Sequence, residues 1–316
     1  SWRFSRTRRS TFGPDPRHHA SDRRGSAVGI AIAMLAGGVG VGLFGSLLGL
    51  GGGLLAVPLL TLGFGLPLRE AVGVSLVLVI VTSSASAGVF LERRAANLRL
   101  GMTLELFTAL GALAGGLVAF LLDERTLAGL FALLLGYVAF TMIRPRQTSA
   151  AVPRHGGSAA PPAARFGQPA HASAPDSGTR RSFVESLGGP DYTVRRLGPA
   201  VAGSVGAGIA SALFGIGGGL IKVPVLHVVM GAPLRVATAT SNLMIGITAS
   251  TSAWIYLIRG EINPYATAPM ALGVFVGASI GSRIAPRVDL RLLRWIFTAV
   301  LLYTAVEMLR RASGAA

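Results

Sequence analysis

Apolar residues in this chain come in long runs. Those over 27–48, 70–91, 102–122, 126–143, 199–216, 235–258, 266–286 and 290–309 approach the roughly 20 residues that cross a bilayer as helix. Charges fall between the runs, at Glu92, Arg93, Arg94 and Arg99, at Asp123-Glu124-Arg125, at Arg144 and Arg146, and at Arg310-Arg311. The pattern predicts eight long helices. A shorter apolar piece, 54–64, closed by Gly63, Gly65 and Pro67, would cover only about 16 Å, half a bilayer. It reads as a discontinuous or re-entrant element.

The stretch Gly49-Leu-Gly51-Gly52-Gly53-Leu-Leu-Ala56-Val57-Pro58 recurs 166 residues on as Gly215-Ile-Gly217-Gly218-Gly219-Leu-Ile-Lys222-Val223-Pro224. At the same offset Arg69 meets Arg235, Ser75 meets Ser241, Asn97 meets Asn263 and Asp123 meets Asp289. An ungapped match of this length is the mark of an internal duplication. The expected organisation is a disordered basic tail (1–26), a first transmembrane repeat (27–144), a disordered Pro/Ala/Arg linker (145–197), a second repeat (198–311) and a short C-terminal tail (312–316). The fold class is an all-α polytopic membrane protein of two homologous units, each with about four spans and one re-entrant or broken short helix.

Topology follows from charge. The linker carries Arg146, Arg154, Arg165, Arg180, Arg181, Arg195 and Arg196, and arginine is retained on the cytoplasmic side. With tail, linker and C-terminus all cytoplasmic, each unit crosses an even number of times. Four crossings plus a re-entrant piece give eight full spans and parallel repeats, the favoured arrangement. Five crossings per unit would instead give inverted repeats, a known transporter architecture.

Composition agrees. Half of the 316 residues are hydrophobic (51%) and 13% charged, against about 25% charged in soluble domains; mean hydropathy is +0.60. The absence of cysteine removes disulfides, thiolate metal sites and Cys nucleophiles. The net charge of +16 sits in tail and loops with no basic helix or aromatic platform beside it, which argues against nucleic acid. The tail's arginines and serines also allow a transit peptide, though Asp15, Asp22 and two prolines weaken that reading.

The glycine runs are the candidate site. Backbone leaving helical geometry at membrane depth is tolerated only where protein or a water-filled cavity covers it. Glycines let the chain approach a ligand closely, and the helix that follows offers free N–H groups and a positive dipole end to an anion. Two such breaks in matching positions point to a transporter binding site. The expected substrate-binding residues are Gly51, Gly52, Gly53, Pro58, Ser75, Gly217, Gly218, Gly219, Lys222, Pro224, Ser241 and Asn242. Lys222 is the only lysine; a charge in a membrane segment is a functional hypothesis by default, and here it would face the cavity and neutralise the anion. A snorkelling lysine is the plainer alternative. For Ser75, Ser241 and Asn242 the plain alternative is helix–helix hydrogen bonding. Asn97 and Asn263 read as turn or cap residues, and His227 as structural, with a proton-relay role as the alternative. Glu105 and Glu307 are expected at the interfaces. No metal, cofactor or catalytic residue is expected. Gly277-Ala-Ser279-Ile-Gly281 has the nucleophile-elbow spacing but lies in an apolar helix, where that motif has no strand-turn-helix. Gly219 and Lys222 do not form a phosphate loop, because no Gly-Lys-Ser/Thr occurs.

The doubled Gly-x-Gly-Gly-Gly-x-x-x-Val-Pro pattern, each copy followed by a polar-studded long span, resembles the sulfite exporter TauE/SafE family over 27–144 and 199–310. The resemblance implies a bacterial inner-membrane permease for small anions, typically sulfite or organosulfonates, usually working as an exporter. Its partners would be a small anionic substrate, the lipid bilayer and a coupling proton or ion. A passive anion channel and an intramembrane enzyme are the alternatives. The long linker exceeds what the family leads one to expect.

Overall fold

The computed structural model describes residues 16–48, 51–92, 97–143, 196–284 and 290–314. Expectations for 1–15, and for the linker up to residue 195, lie outside them. The described chain is helical throughout: α1 (Pro16–Leu48), α2 (Gly53–Pro58), α3 (Leu68–Glu92), α4 (Leu98–Leu121), α5 (Glu124–Ile143), α6 (Leu197–Phe214), α7 (Gly219–Pro224), α8 (Leu234–Ile258), α9 (Pro264–Ile284) and α10 (Leu290–Ala312). Helices cover all eight expected stretches. Six are both long and apolar enough to cross a membrane among the described residues, namely α1, α3, α4, α5, α6 and α9. α1 starts eleven residues earlier than the expected start of the first repeat, at a proline whose missing N–H suits a first helical turn. Helix starts at Gly53, Leu68, Leu98 and Glu124 recur 166 residues on, at Gly219, Leu234, Pro264 and Leu290.

The short helices form as they do because of their prolines. Pro58 and Pro224 remove a backbone donor and crowd the carbonyl four residues back. In both places the chain widens into a π turn, Leu59–Gly63 and Val225–Val229. With its π turn each short helix is 11 residues long, enough for half the membrane.

Contacts fix the helix directions. A Cβ at Gly73 would meet Glu261 just past the end of α8, while one at Gly246 would meet Ser83; α3 and α8 are therefore antiparallel. α1 runs parallel to α9, since Gly38 lies against Met270, Gly42 against Val274 and Gly281 against Leu43 and Ser46. α4 runs parallel to α6, with Gly111 on Val205 and Gly115 on Ile209. Thus α1, α3, α5 and α9 point one way, and α4, α6, α8 and α10 the other. Every helix of the first half is opposed in direction to its counterpart in the second. The halves are also interleaved: α1 pairs with α9, and α6 with α4, each across the boundary.

These directions overturn the parallel arrangement with eight full spans. Gly51 and Gly217 lie against Val79 and Ile245, the middle residues of α3 and α8, so both breaks sit at mid-depth. From there α2 doubles back along α1, Gly37 against Leu59, and regains the starting face, where Arg311 donates to the Thr61 carbonyl at 3.4 Å. Each half is a re-entrant hairpin followed by three crossings. An odd number of crossings inverts the second half. It also puts the end of α5 and the start of α6 on the face opposite the starts of α1 and α3 and the end of α10.

α3 and α8 form the buried centre. α4, α5, α9 and α10 turn apolar side chains outward, among them Leu106, Leu110, Leu117, Leu133, Phe275 and Leu302, as a lipid-facing surface requires.

Candidate site at the paired helix breaks

Both breaks take the backbone into the left-handed region, with φ of 76° and 75° at Gly51 and Gly52, and 70° and 74° at Gly217 and Gly218. A side chain there would be strained. The two breaks touch: a Cβ on Gly53 would stand 2.2 Å from the Gly215 carbonyl oxygen. Ser75, fully buried in α3, ties them together. Its Oγ donates to the Gly215 carbonyl at 2.8 Å and lies 3.2 Å from that of Gly53. Its counterpart Ser241, on α8, is also buried, and its Oγ has no hydrogen-bond partner although it lies 3.8 Å from where a Cβ on Gly219 would be. A buried hydroxyl left unsatisfied costs about 1–3 kcal/mol, so an orphan at this point is a functional clue.

From this junction α2 and α7 run in opposite directions, each presenting its N-terminal end to the centre. The first turns are built on Gly52 and Gly218, whose carbonyls accept from Ala56 N and Lys222 N at 3.1 and 3.0 Å. Leu55 N and Ile221 N bond the same two carbonyls at 3.1 Å, and the N–H groups ahead of them have no acceptor within the helix. Two positive dipole ends therefore converge on one point from opposite sides.

Lys222 is fully buried, but it is paired. Its Nζ lies 2.9 Å from Glu105 Oε2 in α4 and donates to Thr248 Oγ1 in α8, which in turn donates to Glu105 Oε1 at 2.5 Å. The expectation that Glu105 sits at an interface is overturned: it is 4% exposed. It stands seven residues into α4, about 10 Å along the axis. The signal for the pairing was present as two lone opposite charges inside apolar segments, which membrane burial forces together. Nothing comparable stands at the duplicate positions 166 residues away, which hold Ala56 and Thr82 in the first half and Ala271 in the second.

The remaining expected residues fall into two groups. Pro58 and Pro224 lie five residues past Gly53 and Gly219, about 7–8 Å along the axis, where they shape the helix. Asn242 is buried, and its main-chain carbonyl accepts from Ser83 at 2.6 Å. Asn97 caps α4 through Leu100 N at 3.1 Å, and Asn263 accepts from Tyr265 N at 2.9 Å, so both are cap residues. The His227 ring bonds the Ala232 carbonyl at 2.9 Å, closing the turn after α7. Ser279 is half-buried on α9 and donates to the Phe275 carbonyl of its own helix, so the elbow spacing there is coincidental. A cavity of about 330 Å3, lined by Gly65, Pro67, Glu124, Arg125 and Arg311 among others, opens on the face where α3 begins, away from the breaks.

The sequence model of the family described as Sulfite exporter TauE/SafE matches residues 34–308. The chain is 23% identical to the probable membrane transporter protein YunE of Bacillus subtilis, over 86% of this chain and 94% of that one. It is 26% identical to a probable membrane transporter protein of Xylella fastidiosa, over 86% and 92% respectively. A shorter likeness, 37% over 26% of this chain and 18% of its partner, links it to the Sulfite exporter TauE/SafE family protein 1 of Arabidopsis thaliana. No solved structure matches significantly.

Proposed function

This chain belongs to the sulfite exporter TauE/SafE family and is a multi-pass membrane transporter, and from that premise we propose that it carries small oxyanions such as sulfite or organosulfonates across a bacterial inner membrane, as an exporter. The anion binds between the two glycine breaks. The observation that carries this reading is the meeting of two oppositely directed half-length helices at mid-depth, N-terminus to N-terminus. Glycine at Gly51–Gly53 and Gly217–Gly219 keeps the backbone bare there. Ser241 supplies an uncommitted hydroxyl, suited to an oxyanion oxygen. Ser75 holds the two breaks in register. Helix N-termini bind anions through N–H groups and dipole.

Inverted halves also supply a route for movement. Each break belongs to a hairpin open to one face, and exchanging the conformations of the halves exposes the same central point alternately to each side. A carrier of this kind saturates.

The test is flux into proteoliposomes of radioactive sulfite and of a small alkanesulfonate. Saturable uptake is expected, with Ser241→Ala raising the half-saturating concentration about tenfold, the worth of a hydrogen bond to a charged group. Uptake linear in concentration would indicate a channel, and an unchanged half-saturation in Ser241→Ala would remove the serine from the site.

A further inference from the structure

We infer that Glu105 is a proton-binding site, and that protonating it releases Lys222 to serve as the counter-charge of the transported anion, so that one proton travels with each monovalent anion, drawn outward by the anion's own gradient. The inference rests on the small-anion reading given above.

The geometry begins with position. Lys222 stands one helical turn beyond Gly219 on α7, about 4.5 Å along the axis, and its four-carbon stem is long enough to reach back toward the break. As found, its Nζ is engaged by Glu105 and Thr248. Ser241 and Thr248 lie seven residues apart on α8, two turns along one face. The orphan hydroxyl at the break and the acceptor at the ion pair therefore belong to one line of polar groups.

Charge decides the rest. A membrane interior tolerates a paired charge far better than a lone one. With the site empty, Lys222 is +1 and Glu105 is −1, and the cluster is neutral. An anion arriving alone would make it −1, and a proton arriving alone would make it +1. Proton and anion together leave a neutral carboxylic acid beside a lysine–anion pair, again with no net charge. The two neutral states are empty and doubly loaded, and co-transport of proton and anion follows.

The surroundings leave the assignment to Glu105. Lys222 is the charged group that reaches it from α7. α8 contributes Thr248, with Arg235 in its first turn and Tyr256 near its far end, bonded to the Ala212 carbonyl. α6, packed along α4, carries no titratable residue over Leu197–Phe214. On α4 itself the other charge is Arg99, six residues nearer the face.

The experiment uses the full chain in proteoliposomes holding a trapped pH dye, with a small alkanesulfonate as probe because its charge is fixed across the working range. Sulfonate uptake should acidify the lumen with about one proton per anion. Sulfonate affinity in detergent should fall about tenfold per pH unit above the midpoint. In Glu105→Gln, which keeps an oxygen to accept from Lys222 but cannot ionise, affinity should vary less than about twofold between pH 5.5 and 8. Should that variant not fold, Thr248→Val removes one donor to the carboxylate, and its midpoint should move to higher pH. Sulfonate flux without proton movement overturns this inference alone, as does a midpoint that neither variant moves. Absence of any sulfonate flux overturns the substrate reading, and this inference with it.

Discussion

Gly208→Ala should destroy the packing of α6 on α4, while Gly206→Ala, two residues away, should leave the protein intact. A Cβ at Gly208 would stand 2.0 Å from the Thr108 carbonyl oxygen and 2.7 Å from Ala112 N. Both obstacles are backbone, so no rotamer change relieves them and the helices must move apart. Overpacking costs about 1–3 kcal/mol even where side chains can yield; here the upper end or beyond is expected. Close approach through small residues holds helices together in lipid, where no hydrophobic force does so. A Cβ at Gly206 meets nothing within 4 Å, and alanine improves helix propensity by about 1 kcal/mol. Thermal unfolding in detergent, read by loss of the monodisperse peak in size exclusion, compares the two. Equal behaviour would mean that the α4–α6 seam does not govern stability.

The second large effect is at the buried ion pair. Glu105→Ala strands the Lys222 ammonium in an apolar interior, at a cost of about 3–5 kcal/mol. The apparent melting temperature should drop by on the order of 10 °C. Adding Lys222→Met should recover most of the loss, because the double variant buries no charge. Well-packed apolar replacements of buried pairs are often neutral or better. If the double variant is no more stable than Glu105→Ala, the loss comes from hydrogen bonds to Thr248 and from packing, not from an unpaired charge. Recovered stability without recovered transport would place the pair's purpose in function, since the chain folds with Ala56, Thr82 and Ala271 at the duplicate positions.

What could be read from the sequence follows physical range. Hydropathy is local, so apart from the start of α1 the apolar runs located helices to within a few residues, and four helix starts recur at the 166-residue offset. The breaks were legible for the same reason: Gly51–Gly53 and Pro58 declare irregular backbone without reference to anything distant. The depth of the breaks was not legible. It depends on α1 stopping against Gly52 at the level of Val41 and Gly45, a tertiary fact. Inversion was carried only as the five-crossing alternative, because the parity of crossings depends on how deep the breaks lie. Glu105 was misplaced for a related reason. Seven residues from a helix start looks shallow along the chain, yet its partner lies 117 residues away. The π turns after Pro58 and Pro224 had only the prolines as a signal, and a proline announces a break in hydrogen bonding, not the form the break takes.

The interleaving of the halves has a consequence for synthesis. α1 leaves the ribosome first, and the surface it packs on, α9 around Met270, Val274 and Ala278, follows some 230 residues later. At the usual pace of about 5–20 residues per second, the first hairpin waits on the order of ten seconds or more in the bilayer with its stripe of glycines uncovered. α4 waits likewise for α6. The molecule therefore cannot assemble one half at a time. Insertion of the crossings and closure of the structure are separate events, and the last helices made complete the burial of the first.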